Sequence, residues 1–343
     1  MKSKEIEISP VSKQHINKIR AFLENGFGRG VGTRWLTKHL KQPLSLRVNA
    51  PVGVVAWREN RLVGHFGAVF WHLSTPAGTI VAACPGDLLI ASELQYTAVA
   101  GRIYARMWDQ LFKQMKLQGA SICIGFGNRL SMRLHARFAG GQIQKMRHVL
   151  VWRSLPKIPI VLQRIFWSAW WGLYNGNYQG LTVETQPPDK RDLDNIWAAC
   201  SLRQENAVYQ RDATYLQYRY GDCSYHVWGI RSPEKILGFV VWDQQDRIIA
   251  IKDILAVRAE LTRPILVAVL RKILTRAYKP GTHFIKIRLL EDPTLGNLFT
   301  LGFRVVNEPI LWATRACNMK GEDFTHLMTN SKWYFSMGDV DQW

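Results

Sequence analysis

The 343-residue chain is short of acidic residues, of paired cysteines and of long apolar runs. Its 26 Asp and Glu stand against 45 Lys and Arg, a formal charge of +19. No uncharged apolar stretch reaches the roughly eighteen residues of an ordinary transmembrane helix, so none is expected. The opening, MKSKEIEISP, has lysines but no apolar core behind them and does not read as a secretory signal. The five cysteines, Cys84, Cys123, Cys200, Cys223 and Cys317, include no C-x-x-C pair, and an odd number suits no disulfide framework. Reduced thiols in the cytoplasm are the expectation. There is no G-x-x-x-x-G-K-S/T phosphate loop, no G-x-S-x-G elbow and no H-E-x-x-H zinc helix. No metal is expected. The glycine-rich stretch 26–32, GFGRGVG, lacks a preceding apolar strand, so it does not read as a dinucleotide fingerprint.

What the chain has is apolar area: 47% of it is hydrophobic and 11% aromatic, which excludes global disorder. Its charge is unevenly placed. Residues 1–180 hold 24 Lys and Arg against 7 Asp and Glu, a balance of +17, and the remainder is near neutral at +2. Such a field attracts polyanions, whether nucleic acid, an anionic membrane face or a phosphorylated cofactor.

Two segments share one order of elements. In the first, 52–57 and 62–70 read as strands around the turn 58–61, and 79–91 is a further apolar run broken at Pro85-Gly86. A helix over 101–117 follows, with Tyr104, Trp108, Leu111 and Met115 at three- and four-residue steps, then strand 120–125, helix 129–138 and strand 148–152. The second segment repeats the order: strands 225–231, 236–242 and 248–257, helix 264–278, strand 284–290, helix 295–301 and strand 310–315. A strand and a helix over 182–202 precede it. The pattern implies an α/β (α+β) fold with mixed sheets covered by helices. It divides the chain into units at 1–154 and 181–343, joined by 155–180. Within that join, 158–174 reads IPIVLQRIFWSAWWGLY, preceded by Arg153 and Lys157. Two readings stand beside each other: a helix lying in a membrane interface, where tryptophan is favoured, or a linker helix packed between two domains.

Four stretches carry a family resemblance. They are 87–107 (DLLIASELQYTAVAGRIYARM), 128–140 (NRLSMRLHARFAG), 211–225 (RDATYLQYRYGDCSY) and 333–341 (WYFSMGDVD). Together with the element order over about 50–153 and 182–343, they resemble the GNAT acyltransferases. The likeness is greater to their tandem form, found among bacterial genes for polysaccharide and lipid modification. The first stretch is set against R-x-x-G-x-G/A, where Gly101 matches the first glycine, Ala98 stands for the arginine and Ile103 for the second small residue. In the second, Asn128 and Ser131 match N-x-x-A/S-x-x-x-Y, and His135 occupies the place of the tyrosine. In the third, Tyr215 and Tyr218 take aromatic places of F-x-x-W-R-Y. The fourth resembles a W-x-x-x-x-G-D-x-D tail carrying Asp339 and Asp341.

The resemblance implies two GNAT-like domains and acyl transfer, acetyl first of all, from acyl-CoA to a primary amine of a small molecule, amino sugar or lipid-linked acceptor. It implies cofactor contacts at Val99, Ala100, Gly101, Arg102, Ile103, Asn128 and Ser131, because N–H groups at a helix start hold a pyrophosphate. It gives His135 as the acid for the departing thiolate and a carboxylate near the third strand as the base, Glu93 first and Asp87 second. The second unit has no glycine in its turn 256–264, AVRAELTRP, and Leu298 at the tyrosine place, so it is expected to keep the fold and lose the cofactor loop. A degenerate scaffold that binds a ligand or a membrane without turnover is the alternative. A nucleic-acid binder ranks third: Arg129, Arg133 and Arg137 repeat at four-residue steps, but no nucleic-acid signature accompanies them. The expected location is cytoplasmic, with peripheral attachment at the inner membrane face if 158–174 is interfacial.

Overall fold

The computed structural model describes residues 6–28, 30–40, 51–127, 132, 137, 142–146, 148–153, 160–173, 180–221, 225–245, 248–276, 284–289, 303–306 and 310–335. The first half runs β1 (Glu7–Pro10), α1 (Ile16–Phe27), α2 (Val31–Leu40), β2 (Gly53–Arg58), β3 (Arg61–Thr75), β4 (Gly78–Ile90), α3 (Ala98–Leu117), β5 (Ile122–Gly127), β6 (Gln142–Met146) and β7 (His148–Arg153). Then comes α4 (Ile160–Leu173). The second half runs β8 (Thr182–Glu184), α5 (Lys190–Ala199), α6 (Leu202–Glu205), β9 (Asn206–Tyr209), α7 (Ala213–Tyr220), β10 (His226–Arg231), β11 (Ile236–Gln245), β12 (Ile248–Ala256) and α8 (Thr262–Arg276). It ends with β13 (Phe284–Leu289), β14 (Phe303–Val306), β15 (Ile310–Ala316), α9 (Gly321–Asn330) and β16 (Lys332–Tyr334).

Local chemistry explains the first meander. Glu59 and Asn60 turn β2 into β3 with φ of 52° and 62°, the left-handed pair that a two-residue hairpin needs. The periodic apolar residues of α3 become its buried face, Ile103, Tyr104, Met107, Trp108, Leu111 and Met115, packed on β2 and β3. Each such burial contributes about 1.5–3 kcal/mol. Thr97 caps the helix by accepting from the Ala100 N–H, and Gly119 follows its end at φ 83°.

The strands form two mixed sheets. One has the order β1-β2-β3-β4-β5-β15-β6, with β9 on β3 and β16 on β9; the other runs β14-β7-β13-β12-β11-β10-β8. The element order alone suggests that each half keeps its last strand, and here the structure differs. β7 lies between β13 and β14 in the second sheet, while β15 lies between β5 and β6 in the first. One residue, 147, separates β6 in the first sheet from β7 in the second. A cut at 154 or 181 divides the chain, but each sheet draws strands from both sides of it.

β4 and β5 pair in parallel only at Ala82↔Ile122 and Ala83↔Cys123. Beyond that point β5 stays with β15 to Gly127, whereas β4 stays with β3 to Ile90. Pro85 stands just past the parting, where a residue without an N–H is tolerated because that edge has lost its neighbour. The run broken at Pro85-Gly86 is therefore one strand with a free edge. The second half repeats the device: β12 pairs β13 from Ile248↔Phe284 to Ile251↔Ile287 and then continues with β11 alone.

Candidate active site

Past the parting, β4 gains one residue relative to β3. His65 pairs with Leu89 and Gly67 with Gly86, and Asp87, at φ 58°, lies in the resulting bulge. Aspartate tolerates this left-handed conformation better than most residues, and a bulge re-aims the side chain it carries. Asp87 meets the end of α2 there. The His39 Nε2–H donates to Asp87 Oδ2 at 3.0 Å, and Lys38 Nζ lies 3.8 Å from Oδ1. His65, on β3, donates from Nδ1 to the Asp87 carbonyl oxygen at 2.9 Å. Trp35, one helical turn before His39, packs on both imidazoles, with ring centroids 5.2 Å from His39 and 5.3 Å from His65.

Gly67 makes room for the pair. A Cβ there would lie 3.1 Å from His39 Cε1 and 3.3 Å from His65 Cε1. His39 Nδ1 and His65 Nε2 are buried and have no hydrogen-bond partner among the described residues. With their other nitrogens donating, these two carry lone pairs when the rings are neutral.

Burial and charge set the protonation of the cluster. Burial alone would raise the Asp87 carboxyl, but Lys38 and the hydrogen bond from His39 hold it below the usual carboxylate range. Burial pushes both imidazoles down, His65 to about 4, and also lowers the Lys38 ammonium. At neutral pH the resulting state holds an aspartate and two neutral histidines. Such a group can accept a proton on a histidine and hold it against a carboxylate.

The second half closes over this site. Tyr218 of α7 donates its hydroxyl hydrogen bond to the Lys38 carbonyl oxygen, and Trp71 of β3 meets Tyr215 and Tyr218 edge-on. Tyr215 and Tyr218 thus dock the halves together. A cavity of about 700 Å³ is lined mainly by the second half, with Pro188, Lys190, Tyr218, Tyr220 and Tyr225 among others, and by Thr37 of α2. The second half also has a buried carboxylate beyond its own parting point, Asp253, but Arg211 holds it from Nε at 3.0 and 3.1 Å. Both side chains are 0% exposed. A permanently charged guanidinium fixes Asp253 as an anion, whereas the partners of Asp87 titrate.

The structure separates the two carboxylates singled out in the sequence. Asp87 is buried in the cluster; Glu93 is half-exposed in the turn Ser92–Leu94 and pairs with Arg61 at 2.8 Å. Val99, Ala100, Gly101, Arg102 and Ile103 all fall in the first turns of α3, which begins eight residues after the end of β4 and has no acidic residue in its first turn. Arg102 is exposed, but the Ile103 side chain is 2% exposed and belongs to the core, so only its backbone can face a ligand. Asn128, Ser131, His135, Leu298, Asp339 and Asp341 lie outside the described residues. Cys84, Cys123, Cys200 and Cys317 are buried and form no disulfide among the described residues, and Cys84 Sγ lies 2.9 Å from the Tyr209 hydroxyl.

Lys38, His39 and His65 were not anticipated. The available signal was a histidine inside the apolar strand run 62–70 and a Lys-His pair ending an amphipathic helix. Nothing in the sequence says that these meet.

The fold is shared with known structures. No protein-family model matches the sequence, and no curated protein sequence matches it. Solved structures do match the fold. A conserved protein from Enterococcus faecalis described as a probable N-acyltransferase superposes with a TM-score of 0.64 at 10% identity, covering 92% of this chain and 73% of that one. A GCN5-related N-acetyltransferase from Anabaena variabilis gives 0.61 at 14% identity, covering 92% and 73%. A tandem GNAT protein from the clavulanic acid biosynthesis pathway gives 0.52 at 12%, covering 92% of this chain and all of that one. The chain has the GNAT fold, in tandem. In this GNAT-fold protein the Asp87 cluster lies on β4 just past the strand parting, against α2, while α3 packs on β2 and β3. Among the described residues no group of His, Cys, Asp and Glu is arranged to hold a metal ion. No described helix is long and apolar enough to cross a membrane.

Proposed function

We propose that this protein is an acyl-CoA-dependent N-acyltransferase. Its acceptor would be a primary amine of a small molecule, amino sugar or lipid-linked compound, and the Asp87–His39 pair would take the proton of that amine. The observation that carries the reading is the buried carboxylate–imidazole cluster on β4, immediately past the point where β4 leaves β5. The fold shared with N-acetyltransferases supports it.

When bound, acyl-CoA supplies an activated thioester. The N–H groups at the start of α3, with Gly101 and exposed Arg102, are the residues suited to its phosphates, because a helix start free of acidic side chains favours an anion. An ammonium acceptor must lose a proton before its nitrogen can attack. His39 is the better base of the two histidines, since its partner is a carboxylate whose charge stabilises the imidazolium that forms. His65, donating to a backbone carbonyl, orients the bulge. The cavity is lined by Thr37 of α2 and by Tyr218, whose hydroxyl meets the Lys38 carbonyl oxygen, which makes it the candidate acceptor pocket.

Thermal melting with acetyl-CoA and longer acyl-CoA, combined with thiol release over a panel of amines, tests this reading. Stabilisation with turnover is expected. No stabilisation by any acyl-CoA would sink it. Stabilisation without turnover on any amine would favour a binding scaffold, the reading that the core position of Ile103 keeps in play.

A further inference from the structure

We propose that α4 is an interfacial anchor that seats this protein on an anionic lipid surface. The helix has fourteen residues, about 21 Å at 1.5 Å per residue, and is too short to cross a hydrocarbon core of roughly 30 Å. Its two faces are inverted relative to an ordinary surface helix. The inward face uses Gln163, 7% exposed, and Trp170, which packs against the core of the second half, and the helix contacts α8. The outward face is apolar: Val161 is 61% exposed, Leu162 55%, Ile165 60% and Phe166 51%, with Ala169 exposed beside them. Spacings of one, three and four residues place these on a single stripe. The Phe166 ring stacks on Trp170 with centroids 5.9 Å apart, so the stripe runs into an indole, a group favoured at headgroup depth.

Charge decides the occupant. α4 carries Arg164 as its one charged residue, and residues 1–180 hold 24 Lys and Arg against 7 Asp and Glu. Arg153 and Lys157 precede α4 in the sequence. An exposed apolar helix face in a part of the chain with this excess of positive charge complements a bilayer of anionic lipids. The stripe enters the acyl boundary while the cations stay among the headgroups. A second copy of the same face would set these cations against their own kind in a two-fold contact, which disfavours self-pairing.

The test uses the full chain with vesicles of phosphatidylcholine and phosphatidylglycerol in equal parts, and with vesicles of phosphatidylcholine alone. Co-sedimentation with the mixed vesicles is expected, weaker at high salt and weaker on the neutral ones. The double variant Ile165→Glu, Phe166→Glu should lower partitioning at least about tenfold. Both side chains are at least half exposed, so the fold should hold, with a small loss from the Phe166–Trp170 stack. Phe166→Leu should retain binding. Absence of binding to the mixed vesicles, or equal binding by the double variant, overturns the proposal. So does a dimer in sedimentation equilibrium that the double variant dissociates while vesicle binding is unchanged, because α4 would then face a second copy. None of these outcomes depends on acyl transfer.

Discussion

His39 Nε2 stands 3.0 Å from Asp87 Oδ2, with the two side chains 0% and 1% exposed. Forty-eight residues of sequence separate them. The contact exists because α2 ends over the bulge that turns Asp87 toward it. It also sets the chemistry, since a carboxylate fixed on one imidazole nitrogen leaves the other as a base.

Asp87→Asn preserves the shape and can still accept from His39, but it removes the charge that stabilises an imidazolium. Once a turnover assay exists, kcat is expected to fall about 10²- to 10³-fold, while the thermal shift caused by acetyl-CoA is retained. Unchanged kcat would remove the pair from the mechanism.

The cluster makes stability depend on pH. His65 is neutral in the folded protein down to about pH 4, whereas the unfolded chain takes up that proton near pH 6.5. The unfolded state therefore binds more protons between these values. The stability contribution is fully present above pH 6.5 and is lost as pH falls toward 4. The loss from His65 alone is about 3 kcal/mol, and His39 acts in the same direction. Denaturant melts across this window should show the decline, and His65→Gln should flatten it.

Gly67 is a steric prediction. Ala at this position brings its Cβ to 3.1 Å from the His39 ring and 3.3 Å from the His65 ring, both backed by Trp35. The rings must give by a few tenths of an ångström. Gly67→Ala should cost about 1–3 kcal/mol in urea denaturation, and Gly67→Val more.

Asp253 accepts from the Arg211 Nε–H and from its own neighbour's Ile254 N–H, with the Tyr220 hydroxyl at 3.4 Å. Arg211 also donates to the Tyr209 carbonyl oxygen. Asp253→Ala leaves a guanidinium buried without its carboxylate and should cost about 3–5 kcal/mol. Equilibrium unfolding measures it directly.

Gly101→Glu separates ligand binding from folding. A carboxylate in the first turn of α3 suits the helix dipole, so the melting temperature should not fall. The same charge repels phosphates, and calorimetry should show acyl-CoA binding abolished. Unchanged affinity would displace the site from α3.

Much of the fold was legible because its signals are local. The three- and four-residue steps of Tyr104, Trp108, Leu111 and Met115 specify a buried helix face wherever that helix packs. Glu59 and Asn60 specify a turn between two apolar strands. The stripe of α4 was legible as an apolar segment, but which of its faces is covered depends on α8, about a hundred residues later. Of the two carboxylates the sequence offers, Glu93 ranks first and Asp87 second, although both stand in one short stretch and nothing local separates them. Burial with Lys38 and His39 distinguishes Asp87, and an exposed pair with Arg61 distinguishes Glu93.

The sequence by itself determined the repeat of elements, the mixed α/β class and the asymmetry of charge, all of which follow from periodicity and composition. Tertiary structure alone decided the exchange of β7 and β15 between sheets, the parting of β4 from β5, and the meeting of Lys38, His39, His65 and Asp87. Those are long-range pairings. A strand's apolar pattern requires that it be covered, but does not name its neighbour. A histidine's chemistry depends on whichever group the fold brings within about 3 Å of its ring.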